Sequence, residues 1–244
     1  KTLNAEYPSR QSVAELRREF HIAERLQPVE GVIRVHGLES YGNGNVAIVL
    51  EPFGRSLAQE LAAQSGRPMP LERFFTIATR VTETLARVHQ LDVVHKDVEP
   101  RNILVDEAGA VRLIDFGISS ELSLERQNYA SARQLEGSLP YISPEQTGRM
   151  NRDLDYRSDY YSLGVTLFEL LTGELPFGGS PTLLIQQLLS DDVPSPRRHR
   201  PDVPRDLETI CLKCLEKSPV NRYPSAGELA GDLRRFLADE PLLA

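Results

Sequence analysis

Residue types that could do chemistry are concentrated in two short segments near the middle of the chain. The first runs His95-Lys-Asp-Val-Glu-Pro-Arg-Asn102, and the second is Asp115-Phe-Gly117. A carboxylate such as Asp97 can orient or accept a hydroxyl proton, and the oxygens of Asn102 and Asp115 suit Mg²⁺, a hard cation. Each segment alone is weak evidence, because an isolated Asp often serves only to stabilise a turn. Their order and spacing together are far more specific.

The two segments resemble the signature of the protein kinase superfamily, in which an H-x-D-x-x-x-x-N loop and a short strand pair precede D-F-G. Three further elements agree with that signature: Ser143-Pro-Glu145 after a long loop, Asp159 at the start of an apolar helix, and Arg222. The resemblance extends from Lys1 to about Leu237. It implies an α+β, bilobal fold with a small β-containing N-lobe and a larger helical C-lobe. The activity it implies is that of a Mg-ATP-dependent protein kinase.

The resemblance assigns a role to each residue that matches the signature. Asp97 would accept or orient the proton of the substrate hydroxyl, and Asn102 and Asp115 would hold Mg²⁺ against the phosphates of ATP. His95 and Phe116 would pack in the apolar spine beside these groups. The residues with implied structural or regulatory roles are His95, Phe116, Gly117, Ser138, Glu145, Asp159 and Arg222.

Some of these implied roles are more particular. Asp159 would brace the catalytic loop from a buried helix, and Glu145 would form an ion pair with Arg222. Ser138 stands where the family carries the threonine of G-T-x-x-Y-x-(A/S)-P-E, which favours serine and threonine hydroxyls of proteins as substrates. Arg101 is similar to a residue of the tyrosine-kinase loop, but the sequence context of Ser138 outweighs it.

Protein kinases also place a strand lysine on the phosphates and pair it with a glutamate of the first helix. Lysine is rare in this chain, and Lys1 is the only lysine upstream of the catalytic loop. Glu19 matches the helix glutamate by its spacing and its apolar flanks. Glu15 and Glu24 on the same helix are the alternatives.

Leu50-Glu-Pro-Phe-Gly54 resembles the hinge between the two lobes, where backbone groups of Glu51 and Phe53 would bind adenine. The resemblance therefore divides the chain into a partial N-lobe with the hinge, residues 1–54, and a C-lobe, residues 55–244. Because the chain starts at the presumed lysine strand, the Gly-rich loop and first strands of the family are absent from this N-lobe.

Two positions depart from the family pattern. Glu99 stands where serine/threonine kinases usually carry a lysine that meets the γ-phosphate, and a carboxylate there would repel the phosphate. Lys96 replaces the arginine whose bidentate fork grips a phosphorylated loop, so we expect loop phosphorylation to be a weak switch. The alternative to an active enzyme is therefore a pseudokinase-type regulatory or scaffold module. Phosphorylation of small molecules, as in relatives of aminoglycoside kinases, is disfavoured by the complete Ser143-Pro-Glu145 segment.

The elements that must position the N-terminal residues follow from hydrophobic periodicity. Apolar residues at three- and four-residue steps predict a helix over 12–26. Two β-branched runs predict strands at 32–35 and 46–50, joined by a hairpin turn at 41–45. The predicted N-lobe is therefore one helix and one hairpin.

The C-lobe is predicted to be mainly helical. A long apolar stripe predicts a helix from about residue 71, and strand-like runs at 93–105 and 111–117 carry the two motif segments. Residues 118–156 show no sustained period and read as a long functional loop. The remaining predicted helices lie near 158–172, 181–190, 205–216 and 225–238.

The composition is that of a globular domain and excludes several function classes. Hydrophobic residues make up 40% of the 244 residues and charged residues 26%, which argues against disorder. The formal net charge of −7 argues against a protein that mainly binds nucleic acid. The most apolar stretch, 163–171, is shorter than the roughly 20 residues that a bilayer requires, and no apolar leader precedes it. We therefore expect a cytoplasmic location without nucleic-acid or membrane contact.

Cys211 and Cys214 form a C-x-x-C pair in a helical-looking stretch. No second Cys or His pair completes a zinc site, so we expect core thiols rather than metal ligands. Two cysteines also fit a reducing compartment better than a disulfide framework.

Two stretches point to bacterial serine/threonine kinases. The run from Leu135 to Asp159 resembles the kinase module of large bacterial signalling proteins that also carry ATPase, GAF and sensor histidine kinase domains. The tail from Val203 to Ala226 is similar to stand-alone bacterial kinases. The implied partners are ATP, a protein substrate, and those further domains of a longer parent chain.

Overall fold

The computed structural model describes residues 1–2, 8–42, 44–121, 139–148 and 154–244. It has the predicted α+β architecture, with small antiparallel sheets towards the N-terminus and a helical C-terminal part. No helix in these ranges is both long enough and apolar enough to cross a membrane.

The N-terminal part is a helix packed on a hairpin. Helix α1 (Arg10–Arg25) begins after Ser9, whose hydroxyl accepts the backbone N–H of Ser12 at 3.0 Å. Its apolar face packs against the antiparallel pair of β1 (Val35–Tyr41) and β2 (Asn45–Leu50). The predicted helix and the second predicted strand are confirmed, each to within two residues.

Short strands flank both motif segments. They are β3 (Arg55–Ser56), β4 (Val93–Val94), β5 (Ile103–Val105), β6 (Val111–Leu113) and β7 (Ser120–Glu121). Strands β3, β5 and β6 form one antiparallel sheet, and β4 pairs with β7. The His95–Asn102 loop therefore connects β4 to β5, and the Asp115–Gly117 segment connects β6 to β7. This pairing places the two segments side by side.

The predicted strand at 32–35 is wrong in its position. Val32 and Ile33 are 4% and 2% exposed, and they join β6, to which the Ile33 N–H donates at 3.0 Å. The true strand, β1, starts where the prediction ends, and its side chains are only partly buried or exposed. The β-branched run that predicted the strand is therefore a buried connection before β1. Strand β1 was not predicted because it lacks a strongly apolar face.

Helices form most of the C-terminal part. They are α2 (Leu57–Gln64), α3 (Leu71–His89), α4 (Arg157–Thr172), α5 (Pro181–Ser190), α6 (Pro196–His199), α7 (Arg205–Cys214) and α8 (Ala226–Leu237). The four helices predicted after the long loop are confirmed to within two residues at each end. Helix α2 was not predicted, because only Leu57 of its residues is buried and no apolar stripe marks it.

Helix α4 lies at the centre of the C-terminal core, and almost all of its side chains are buried. Its Gly164 permits close approach of α7, since a Cβ there would lie 2.7 Å from the Cβ of Cys214. Cys211 and Cys214 are both fully buried, which confirms the core prediction for these thiols. Within the described ranges, no group of His, Cys, Asp and Glu is arranged to hold a metal ion by itself.

A buried ion pair ties Glu145 to Arg222 across the C-terminal part. Two arginine nitrogens donate to the two carboxylate oxygens at 2.7 and 2.9 Å, and the side chains are at most 1% exposed. The Ser158 hydroxyl also donates to Glu145, at 2.8 Å. Burial alone would raise the pKa of the Glu145 carboxyl, but the bonds from Arg222 outweigh it and lower the pKa. The pair therefore remains charged inside the fold.

Removing one partner of this pair should destabilise the protein strongly. In Arg222→Ala the carboxylate of Glu145 stays buried without its counter-charge, which costs ~3–5 kcal/mol of unfolding free energy. Arg234→Ala is the matched control, because Arg234 is half exposed and pairs with Glu83 near the surface. Its expected cost is about 0–1 kcal/mol. Urea unfolding followed by circular dichroism measures both; equal losses would contradict a structural role for the buried pair.

Candidate active site

Lys1 lies between two carboxylates, and we call Lys1, Glu19 and Asp115 the lysine trio. The ammonium is 2.8 and 2.9 Å from the two oxygens of Glu19 and 2.6 Å from Oδ1 of Asp115. Lys1 is held against strand β2, since its carbonyl accepts the Ile48 N–H at 2.9 Å. Lys1 therefore connects the hairpin through its backbone, and helix α1 and the Asp115–Gly117 segment through its ammonium.

The two alternative helix glutamates have other neighbours. Glu15 accepts a hydrogen bond from Gln11 at 3.0 Å, and Glu24 lies 3.7 Å from Nδ1 of His21 on the exposed side of α1. Glu19 is instead one of the buried residues of α1. The structure thus brings Lys1 together with Glu19, as the sequence prediction proposed.

Burial and neighbouring charges act in opposite directions on the pKa values of Lys1 and Glu19 in the lysine trio. Burial lowers the pKa of Lys1, but the charges of Asp115 and Glu19 outweigh burial and leave that pKa raised. Burial also raises the pKa of Glu19, and the nearby Asp115 adds to this effect against the attraction of Lys1. Lys1 is therefore a cation at neutral pH that faces two carboxylates. The trio therefore places two carboxyl groups around one ammonium.

A cavity of about 300 Å³ opens beside the lysine trio. Its walls are mainly apolar side chains from α1, the hairpin, the connection before β1 and the segment before Gly117. They are Ala23, Ile33, Val35, Ile48, Leu50, Ile114 and Phe116. An apolar cavity with a few charged groups at one end is the common form of a small-molecule site.

Asp97 and Asn102 are bonded to each other within one loop. The amide nitrogen of Asn102 donates to Oδ2 of Asp97 at 2.8 Å and to the Asp97 carbonyl at 3.0 Å. Asn102 is 6% exposed and lies in the 3₁₀ turn Pro100–Asn102, while the Asp97 side chain is partly exposed. Asn102 therefore fixes the orientation of a carboxylate that solvent and substrate can reach.

Asp159 holds the same loop from the first turn of α4. Its carboxylate is completely buried and accepts the backbone N–H groups of His95 and Lys96 at 2.8 and 2.6 Å. It also bonds to Nε2 of His89 at 2.8 Å. Burial alone would raise the pKa of Asp159, but the bonds from His89 and His95 lower it. The charged form is therefore the form that the fold stabilises.

His95 and Phe116 connect the two motif segments through their rings. Both side chains are buried, and the ring centroids are 4.7 Å apart. Gly117 completes the arrangement, because a Cβ there would lie 3.1 Å from Oδ1 of Asp115 and 3.2 Å from Oε2 of Glu19. Any larger side chain at this position would press on the lysine trio.

Asn102 and Asp115 each keep one side-chain oxygen that suits Mg²⁺. Asn102 uses its nitrogen on Asp97, and Oδ1 of Asp115 is bonded to Lys1 and to the Gly117 N–H. The remaining oxygens, Oδ1 of Asn102 and Oδ2 of Asp115, make no hydrogen bond with another described residue. Mg²⁺ is commonly bound by one or two such protein oxygens together with substrate phosphates. The donor set therefore fits a magnesium ion that arrives with a nucleotide.

The predicted hinge residues lie at the end of β2. The Glu51 N–H donates to the Arg34 carbonyl at 2.9 Å, and its carboxylate accepts bonds from the Arg34 N–H and from Arg112. The Arg112 guanidinium also stacks on the ring of Phe53, 4.6 Å from its centroid. The Glu51 side chain is thus structural, and an adenine contact remains a prediction for its carbonyl and for the backbone of Phe53.

Glu99 does not present its charge as the sequence led us to expect. Its side chain is 3% exposed and is bonded by Nε and Nη2 of Arg101 at 2.6 and 3.1 Å. Arg101 itself is 54% exposed. The expectation that Glu99 repels phosphate is therefore wrong, because the carboxylate is buried and paired with Arg101. The exposed member of the pair is the guanidinium of Arg101.

Lys96, the second departure from the pattern, is 8% exposed and adopts a left-handed backbone conformation with φ of 69°. Burial lowers the pKa of its ammonium to about 8, although Asp159 attracts the charge. Its carbonyl accepts the Gln146 amide at 2.9 Å, which links the catalytic loop to the segment after the long loop. Ser138, predicted to stand in the place of the loop threonine, lies outside the described residues.

Sequence reasoning overlooked two residues of the site. His89 bonds to Asp159, and the Tyr160 hydroxyl lies 3.3 Å from its other ring nitrogen. A histidine at the end of the apolar stripe of α3 was a signal that could have found it. Arg18 of α1 donates to the Ser119 carbonyl at 3.4 Å, and no local pattern predicts a contact over that sequence separation.

Comparison with known proteins agrees with this geometry. The family described as "Protein kinase domain" matches residues 1–231. The serine/threonine-protein kinase PrkC of Bacillus subtilis is 35% identical over 190 residues, which cover 77% of this chain and 28% of that protein. PknB of Mycobacterium tuberculosis is 37% identical over 196 residues, 80% of this chain and 31% of that protein. The chain thus spans about three tenths of the length of these curated relatives.

The Asp159 network generates a prediction about acid stability. In Asp159→Asn the backbone donors of His95 and Lys96 lose a charged acceptor, at a cost of ~1.5–3 kcal/mol for each lost bond to a charged group. Because folding lowers the pKa of Asp159, its stabilisation is complete above the ordinary value of 3.8 and disappears as the pH falls through the folded-state value. The wild type and the variant should therefore differ by a constant amount above about pH 4 and begin to converge only as the pH falls below it.

Urea unfolding at a series of pH values measures this difference. Asp202→Asn is the control, because Asp202 is an exposed aspartate and its replacement should leave the unfolding free energy nearly unchanged. A gap between wild type and Asp159→Asn that stays constant down to the acid limit would contradict the charged network.

Proposed function

The chain belongs to the protein kinase domain family, and from that premise we propose that it transfers the γ-phosphate of ATP to serine or threonine hydroxyls of proteins. ATP use follows from the family. The choice of serine and threonine is supported by the similarity to serine/threonine-protein kinases and by the sequence around Ser138.

One observation carries the proposal: the Asp97–Asn102 pair and Asp115 of the lysine trio lie in two strand connections, β4–β5 and β6–β7, whose flanking strands pair with each other. Phosphoryl transfer requires mainly that the protein position the reactants and offset the charge of the phosphates. Lys1 supplies a fixed cation, and the apolar cavity beside it gives the nucleotide a place to bind. The geometry is therefore suited to holding a nucleotide between the hairpin and the catalytic loop.

Each residue has a distinct task in this proposal. Asp97, oriented by Asn102, accepts a hydrogen bond from the substrate hydroxyl and directs its oxygen at the γ-phosphate. Lys1, anchored by Glu19, binds the phosphates. Asn102 and Asp115 would hold Mg²⁺, which when bound neutralises the phosphate charge during transfer. Asp159 acts through the backbone of the loop and is a positioning residue.

The same resemblance suggests a wider setting. Because residues 135–159 are similar to the kinase modules of multidomain signalling proteins, we propose ATPase, GAF and histidine kinase domains as partners in a longer parent chain. Limited proteolysis and mass spectrometry of the protein isolated from its natural source would test this. A natural protein that lacks such domains would contradict the proposal.

Replacement of Asp97 tests the enzyme assignment directly. Asp97→Asn should lower the rate of γ-phosphate transfer from labelled ATP by about 10²–10⁴-fold, because the amide cannot accept the hydroxyl proton. Binding of Mg-ATP, measured by calorimetry, should be almost unchanged. Asp92→Asn is the matched control: it makes the same chemical change at an exposed residue just upstream of the loop.

Two outcomes would contradict the proposal. Equal rates of γ-phosphate transfer for the wild type and Asp97→Asn would show that Asp97 does not act on the substrate hydroxyl. Binding of Mg-ATP by the wild type without any transfer would favour the pseudokinase alternative.

Replacement of Glu19 tests the anchoring of Lys1. In Glu19→Gln the ammonium loses its buried carboxylate, so we expect the KM for ATP to rise and kcat to fall, each by roughly tenfold. Glu15→Gln on the same helix should leave both constants near the wild-type values, because Glu15 is exposed and bonds to Gln11 at the surface. Steady-state kinetics over a range of ATP concentrations measures the effect. Equal kinetics for the two variants would contradict the role of Glu19.

A further inference from the structure

The peptide groups directly before and after Lys96 are hydrogen-bonded at their N–H ends to groups of the catalytic site. The Lys96 N–H donates to Oδ1 of Asp159 at 2.6 Å, and the Asp97 N–H donates to Nδ1 of His95 at 3.3 Å. Nε2 of His95 donates to the Ile114 carbonyl at 3.1 Å, which leaves Nδ1 as the acceptor of the ring. Both N–H groups therefore have an acceptor, and two other residues bond to the carbonyl ends.

Ser119 bonds to the carbonyl end of the first peptide group, which joins His95 to Lys96. Its hydroxyl donates to the His95 carbonyl at 3.0 Å. Ser119 is 1% exposed, so bulk water does not compete for this bond. It lies directly before β7, two residues after Gly117. This peptide group is thus held at one end by Asp159 and at the other by Ser119.

Gln146 bonds to the carbonyl end of the second peptide group. Its Nε2 donates to the Lys96 carbonyl at 2.9 Å, and its Oε1 accepts both the N–H and the hydroxyl of Ser143 at 2.9 Å. Because the amide oxygen is held by Ser143, the amide nitrogen has to face Lys96. Gln146 is 6% exposed and follows Glu145, which is paired with Arg222 in the core. The bond to the catalytic loop therefore starts from a segment that is anchored in the C-terminal core.

A peptide group that is hydrogen-bonded at both ends has a fixed orientation. The group is planar, so a single bond lets its plane turn about the bonded atom, whereas bonds at both the N–H and the C=O prevent that turn. Lys96 has a left-handed φ of 69°, a conformation that non-glycine residues keep only where their surroundings impose it. The direction in which Asp97 leaves this residue depends on the two planes. Ser119 and Gln146 therefore complete a restraint that Asp159 alone leaves open.

We propose that Ser119 and Gln146 are positioning residues for phosphate transfer. They act on Asp97 through the peptide groups before and after Lys96, and the proposal rests on the proposed kinase function. Neither is among the described residues that line the cavity beside the lysine trio. Loss of either bond should therefore misplace the carboxylate that orients the substrate hydroxyl, while the nucleotide still binds. The expected result is a lower kcat with an unchanged KM for ATP.

A pair of variants with the same shape tests Ser119. Ser119→Thr and Ser119→Val add the same methyl group to the buried site, but only Ser119→Thr keeps the hydroxyl that donates to the His95 carbonyl. Any strain from the added group is common to both, so their difference isolates the hydrogen bond. We expect kcat for Ser119→Val to be about tenfold to a hundredfold below kcat for Ser119→Thr, with the same KM for ATP.

Thr82→Val is the matched control for this pair. It also removes a hydroxyl from a buried side chain, but the partner of that hydroxyl is the Ala78 carbonyl of α3 itself, at 2.7 Å. Its kcat should stay near the wild-type value. Equal kcat for the two Ser119 variants, or an equal loss of kcat in Thr82→Val, overturns the role of Ser119.

Two variants of similar length test Gln146. Gln146→Glu keeps the acceptor for Ser143 but removes the donor to Lys96, and Gln146→Met removes both without adding a charge. The assay is run at about pH 8, well above the ordinary pKa of a glutamate. We expect kcat to fall about tenfold to a hundredfold in both variants, with an unchanged KM for ATP. A wild-type kcat in either variant overturns the role of Gln146.

Amide hydrogen exchange, measured by NMR without ATP or substrate, separates this inference from the kinase function. The amides of Lys96 and Asp97 are compared between the wild type and Gln146→Met, with amides in the middle of α4 as the reference. Exchange that is about tenfold faster at these two amides, with the reference unchanged, supports the inference even if the wild type transfers no phosphate and the proposed function fails. Unchanged exchange at the two amides overturns the inference while phosphate transfer by the wild type still supports the kinase function. Equal acceleration at the reference amides indicates a general loss of stability and overturns the inference as well.

Discussion

The charge of Asp159 is the constraint on which the catalytic loop depends. A carboxylate that is completely buried must be satisfied by donors, and its donors here are two consecutive backbone N–H groups and His89. Directly after these two N–H groups, Lys96 adopts a left-handed conformation with φ of 69°, which non-glycine residues usually avoid. The two bonds to one buried charge therefore anchor the chain at the start of a strained residue. Asp97, the next residue, takes its position from Lys96.

The lysine trio extends the same principle to the N-terminal part. Helix α1 buries Leu16 against the hairpin and Ile22 and Ala23 in the core cluster that contains Phe116. Lys1 adds a charged contact between α1 and the Asp115–Gly117 segment, because its ammonium bonds to carboxylates from both elements. A displacement of α1 would separate charges that are partly removed from water. Any change in the position of α1 therefore also changes the ion pairs of the lysine trio.

The sequence predicted the structure best where a local pattern, such as an apolar stripe or a motif spacing, has a single structural explanation. The helices after the long loop carry stripes of buried residues, so their positions could be predicted. The spacing of the motif residues also predicted that they lie in two short connections between strands. Helix α2 was missed because it buries only Leu57, and the strand at 32–35 was misplaced because buried β-branched residues also occur in connections. The pairing of Glu99 with Arg101 escaped prediction for another reason. Sequence shows charges but not their burial, and burial decides which partner of a pair faces solvent.

The Glu99–Arg101 pair also constrains how a lineage could change this loop. If Arg101 is replaced first, the carboxylate of Glu99 is left without its partner in a site where its side chain is 3% exposed. If Glu99 is replaced first, Arg101 retains access to water and the loss is small. Replacing Glu99 first therefore costs less stability than replacing Arg101 first. A lineage that acquires a lysine at position 99 loses less stability if that change precedes a change at position 101.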